Sequence, residues 1–98
     1  MRTWKQMQAE SLAAMSESER QEYDQASVEA QARIELAQIV YEARQKAGIS
    51  QTELAARAGT RQAVISAIET GAQAPGGIML VNIANAVGAQ LKLEQIAA

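Results

Sequence analysis

The chain has no cysteine, no histidine and no phenylalanine, and a single proline in 98 residues. Without cysteine or histidine it can form no disulfide, offers no thiol nucleophile and lacks the usual zinc ligands. Serine, aspartate and glutamate occur without a base or a phosphate-cradling loop to organise them, so no enzyme, cofactor or metal is expected. Aromatic residues are only 3% of the chain although 48% is apolar. The core must therefore come from Leu, Ile, Val, Met and Ala, as in a small helical bundle. No apolar run approaches the roughly 20 residues of a membrane span, and no signal-peptide core is present. A cytoplasmic protein with no membrane partner is expected.

Strong charge of either sign is also missing, with a net of −2. Its distribution is uneven. Residues 1–32 hold three basic and six acidic side chains, a net of −3, and residues 33–98 hold six basic and five acidic, a net of +1. Two domains are assigned on this division: an N-terminal helical extension over 1–32, and a larger domain over 33–98. A net of +1 is modest for a domain meeting any polyanion, so tight binding of one would need two subunits.

Between Ile49 and Gly71 the chain reads ISQTELAARAGTRQAVISAIETG. Ser50 is placed to N-cap a first short helix, with Glu53 three residues on completing a capping box. Leu54 and Ala55 supply its buried side. Gly59 provides the unencumbered backbone for a steep exit. A second helix, about Arg61–Thr70, carries Val64, Ile65 and Ile68 inward and stops at Gly71. Its outward residues, Arg61, Gln62, Ala63, Ser66 and Ala67, are small or hydrogen-bonding. That suits an element lying in a DNA major groove, where bulky or acidic side chains would clash or repel.

Elsewhere, Thr3 can cap a helix carrying Trp4, Met7, Leu12 and Met15 on one face. Ser16 with Glu19 forms a second capping box, opening a short helix that carries Tyr23. A long helix is expected over about Val28–Ala47, with Leu36, Ile39, Val40 and Ala43 on one side. After the loop GAQAPGG (Gly71–Gly77), a helical pattern returns over Ile78–Val87. Gln90–Ile96 then alternates, with Leu91 and Leu93 on one face, which predicts a short strand. A lone strand cannot satisfy its own edge, so a strand from a second copy is its simplest partner. Leu91 and Leu93 are accordingly assigned to dimerisation.

These residues together resemble the lambda-repressor-like (Xre) helix-turn-helix family. The matching text over 36–93 is Arg44 and Gly48, SQTELA (Ser50–Ala55), Gly59, Gln62, Ile65-Ser66, Ile68-Glu69, Gly71, Pro75 and IANAVG (Ile83–Gly88). One departure stands out: Arg61 occupies the position where the family usually has a capping Ser or Thr, leaving Thr60 as the alternative cap. The fold implied is all-α, a helix-turn-helix bundle with an N-terminal helical extension and a C-terminal strand. In layout the chain is most similar to HigA-type antitoxins, which repress their own operon and neutralise a RelE/HigB-like ribonuclease toxin.

The resemblance implies double-stranded DNA, as a palindromic operator, for a partner of a homodimer. It puts Gln62 at the groove, where its amide suits adenine N6 and N7, the alternative being a solvated surface amide. Arg61 either grips phosphate or guanine or faces solvent. Ala63 and Ala67 either touch thymine methyls or merely avoid clashes. Gln51 either meets a phosphate beside the helix N-terminus or is a simple helix former. Thr60 and Ser66 complete the DNA-binding set, Ser66 standing equally well as a structural hydroxyl. Arg44 and Glu69 match positions that pair across packed helices. Trp4, Met7, Leu12, Met15 and Tyr23 either pack within the chain or hold the toxin. A stand-alone Xre-type regulator, or an adaptor that has lost DNA binding, are the competing readings.

Overall fold

The computed structural model describes residues 2–97. Five α-helices lie among them: α1 Trp4–Ala14, α2 Glu17–Ala47, α3 Gln51–Ala58, α4 Gln62–Glu69 and α5 Gly77–Ala86. The described residues fall into two compact units, one ending at Gln31 and the other beginning at Ala32. Helix α2 contributes to both.

In the N-terminal unit, Thr3 opens α1 with a complete capping box: its hydroxyl accepts from Gln6 N, and the Gln6 side chain accepts from Thr3 N. Ser16 and Glu19 exchange the same two bonds at the start of α2. The two helices expected between Ser16 and Ala47 are one. The intervening Gln25, Ala26 and Ser27 include neither glycine nor proline, and Gln25 donates to Glu29 one turn on. Nothing there costs enough to break an α-helix once both flanks are helical.

The second unit has its core in Val40 of α2, Leu54, Ala55 and Ala58 of α3, Ile65 and Ile68 of α4, and Ile83 of α5. Leu54, Ile65 and Ile68 are wholly buried. Val64, Met79 and Leu80 pack around them, half-buried. Ser50 caps α3 by accepting from Glu53 N at 3.0 Å. The Glu53 carboxylate does not return to Ser50; it takes Arg57 one turn on, at 2.6 Å. Helix α3 ends at Gly59, whose φ of 74° is left-handed, with Thr60 N closing back on Ala55 O. That conformation costs a residue with a Cβ, which explains a glycine there.

The C-terminal strand is not formed. Among the described residues there is no strand, and Ala89–Ala97 have no regular secondary structure. Leu91 is 53% exposed and Leu93 fully exposed. A strand is held by a neighbour's backbone, and no segment among the described residues supplies one, so the alternating pattern alone does not extend into a sheet.

Candidate nucleic-acid interface

Helix α4 is amphipathic by position. Ile65 and Ile68 face the core, while Ala63, Ser66, Ala67 and Thr70 follow the opposite side at helical spacing. Arg61, Gln62 and Ala63 are exposed; Thr60, Ser66 and Ala67 are half-buried. Apart from Arg61 and Gln62 at its head, no long side chain projects from this face, so a surface as close as a groove floor can approach the helix backbone. Arg61, not Thr60, is the N-cap residue, and it makes no side-chain capping bond. The start of α4 therefore leaves its N–H groups unclaimed by a cap.

Gln62 is tied to α3. Its Nε2 donates to Gln51 Oε1 at 2.8 Å, and Gln51 Nε2 donates in turn to Glu69 Oε1 at 3.2 Å. Glu69 completes the chain by accepting from Arg44 Nε at 2.7 Å and Nη2 at 2.8 Å. Arg44 Nη1 also donates to the carbonyl of Ile49, and its guanidinium lies 5.5 Å from the Tyr41 ring centroid. The hydrogen bonds to Glu69 hold the Arg44 pKa above its already high ordinary value, against the opposing pull of burial. On the alkaline side the arginine's contribution therefore holds until the pH rises through the guanidinium's raised range, in strong alkali.

This relay gives Gln62 a defined amide orientation. One N–H is spent on Gln51, and the exposed amide keeps Oε1 and its second N–H as the donor and acceptor pair that an adenine edge requires. Gln51, read from the sequence as either a phosphate contact or a simple helix former, also links Gln62 to the Arg44–Glu69 pair. No spacing rule indicates that link, because Gln51 and Gln62 meet only when α3 and α4 are packed. Three further contacts were also missed. Arg57 Nη1 donates to the Ala86 carbonyl at the end of α5, and its i,i+4 pairing with Glu53 was open to sequence inspection. Arg33 Nε donates to the Gly71 carbonyl, 38 residues away, with no local signal.

Away from α4, two adjoining hollows of about 350 and 90 Å³ share Ile39, Ala43, Val87 and Ala89 in their walls; Leu80 and Leu91 line the smaller one. Ile39, expected on a packed face, is 58% exposed here. In the N-terminal unit Trp4 is 76% and Met7 44% exposed, whereas Leu12, Met15 and Tyr23 are half-buried. The Tyr23 hydroxyl accepts from Gln8 Nε2 at 2.7 Å. Among the described residues no group of acidic, histidine or cysteine side chains is arranged to hold a metal, and no helix is long and apolar enough to cross a membrane.

Residues 40–93 match the helix-turn-helix family HTH_3. No curated protein and no solved structure matches the chain.

Proposed function

The chain belongs to the HTH_3 helix-turn-helix family of DNA-binding transcriptional regulators, and from that membership we propose that it is a sequence-specific repressor acting as a homodimer on a palindromic operator. The observation that carries this reading is the Gln62–Gln51–Glu69–Arg44 relay, which fixes the amide of an exposed glutamine at the head of α4. Gln62 reads adenine, Arg61 and the first turns of α3 and α4 meet phosphates, and Ala63, Ser66 and Ala67 let the helix lie close to the bases. With so few long side chains on that face, part of the selectivity comes from DNA shape.

The homodimer is supported by two unsatisfied surfaces in one unit. The C-terminal tail exposes Leu91, Leu93 and Ile96, and the hollow beside Ile39 and Val87 is open. Pairing across a two-fold axis covers both and puts two copies of α4 about one DNA turn apart, about 34 Å.

The finer reading is that this repressor is an antitoxin whose N-terminal unit holds a RelE/HigB-like ribonuclease. Exposed Trp4 and Met7 offer an apolar anchor, and the net charge of −3 over residues 1–32 suits a basic, RNA-binding surface.

The test is selection of duplexes from a random-sequence pool by the full chain, followed by a salt titration on the winners. A palindromic consensus whose affinity falls steeply with salt is expected. Failure to enrich any sequence overturns the repressor reading and leaves the adaptor.

A further inference from the structure

We propose that Arg33 is a positioning residue for α4, setting DNA affinity without touching DNA. This rests on α4 being the DNA-facing helix. Arg33 lies outside the stretch 40–93 that matches the family, so the helix-turn-helix pattern does not specify it.

The contact is between α2 and the exit of α4. Helix α4 ends in a left-handed Gly71, φ 79°, with Gly71 N bonded to Ile68 O and Ala72 N to Ala67 O. These bonds use the N–H groups of the turn and the carbonyls of the last helical turn. The Gly71 carbonyl belongs to neither set, and it accepts from Arg33 Nε at 3.2 Å in a part-buried site. The backbones are also close: a Cβ at Gly71 would stand 3.8 Å from Ile34 Cγ1 and 3.9 Å from the Arg33 carbonyl oxygen.

Arg33 does not act alone. Arg33, Ala37, Val40 and Arg44 follow one another at four, three and four residues, a single stripe along α2. The middle of that stripe, Ala37 and Val40, is buried. Its two ends hold the exit of α4 at neighbouring points, Arg44 at Glu69 and Arg33 at Gly71. Two cations at a helix C-terminus also oppose its negative end. Ile65 and Ile68 seat the helix in the core; one polar tether at its exit still lets a short helix rock about that seat, whereas two separated ones fix its tilt. The start of α4 has no comparable tether, since its N-cap makes no side-chain bond and Gln62 is held only through another side chain. The aim of the reading face is therefore set from the exit end, and a shift of even about 0.5 Å or 10–20° there degrades a recognition geometry.

The experiment compares the full chain with Arg33→Met, which keeps the aliphatic packing but loses the guanidinium, and Arg33→Lys, which keeps a donor and a charge. The probe is the best duplex selected with the wild-type chain, and binding is measured across a salt series well below each protein's melting temperature. Arg33→Met is expected to bind about tenfold or more weakly, the scale of a lost charge-assisted hydrogen bond, with an unchanged salt slope and a retained cooperative melt. Arg33→Lys is expected to recover part of the loss. A salt slope reduced by about one phosphate would make Arg33 a direct DNA contact and overturn the proposal. A lowered melting temperature with unchanged affinity would make it purely structural, with the same consequence. If the wild-type chain selects no duplex, the DNA-binding reading has failed first and Arg33 falls with it; selection by the wild type with equal binding by Arg33→Met sinks this proposal alone.

Discussion

Gln62 donates to Gln51 across the turn between α3 and α4, at 2.8 Å, so the amide at the head of α4 has its orientation set before any DNA arrives. Gln62→Ala should then cost about 1–3 kcal/mol of operator affinity and relax preference at one adenine per half-site. Gln51→Ala should relax the same position while leaving Gln62 in place, because the amide is freed to turn. The two losses should combine to less than their sum in a double-mutant cycle. Binding-site selection on all three variants checks this; additive effects at different base positions would mean that the two glutamines work separately.

Glu69 is the hub of the relay and its carboxylate is almost wholly buried, with a side chain 4% exposed against 11% for Arg44. Glu69→Gln keeps the shape but leaves a part-buried guanidinium without its counter-charge. We expect a loss of roughly 3–5 kcal/mol. In a domain of this size that corresponds to a fall in melting temperature of more than about 10 °C, measurable by circular dichroism. Replacing both partners by apolar residues, Arg44→Met with Glu69→Leu, should recover much of the stability but not the DNA selectivity, since Gln51 then has no anchor.

What could be read from the sequence divides by the range of the interaction. Ser50 and Gly59 act within a few residues, so the ends of α3 were legible from chemistry alone. The inward positions Leu54, Ile65 and Ile68 followed from helical spacing. Boundaries were legible to about a residue: α4 begins at Gln62 with Arg61 as its cap, and Gly77, placed in the loop, is the first residue of α5. The short helix opened at Ser16 and the long one expected from Val28 are a single α2, because nothing between them, Asp24 and Ser27 included, breaks a helix. The strand over Gln90–Ile96 was misjudged because alternation describes a face, not a pairing partner. Gln51–Gln62 and Arg33–Gly71 were illegible for a third reason: both depend on where α2, α3 and α4 come to rest, which no local pattern encodes.

The exposed tail makes a prediction about assembly. Removing everything after Gly88, or introducing Leu93→Asp into the full chain, should shift the protein to monomers in sedimentation at micromolar concentration. Each monomer would keep its fold, because the core cluster of Val40, Leu54, Ile65, Ile68 and Ile83 lies before the tail. Binding to a palindromic duplex at physiological salt should be lost, since a single unit of net charge near +1 neutralises few phosphates. A monomeric wild-type chain would remove the dimer from the proposal.

The N-terminal unit makes the last prediction. Trp4 leaves 76% of its surface in water, an uncommon arrangement for a large apolar side chain with nothing to hold. In the full chain, Trp4→Ala with Met7→Ala should leave operator binding unchanged, because neither residue belongs to the unit that carries α4. On the proposed antitoxin role, the same pair should abolish any protection that the full chain gives to cells co-expressing a small basic ribonuclease. Reversing acidic charges at Glu17, Glu19 and Glu22 should instead slow the encounter at low salt, an effect that fades as ionic strength rises. A fragment of residues 33–98 tests the division from the other side: it should still dimerise and should fail to protect. Protection by that fragment equal to that of the full chain would place toxin binding in the helix-turn-helix unit. Absence of any neutralised ribonuclease would leave a stand-alone regulator, with Trp4 packing against something other than a toxin.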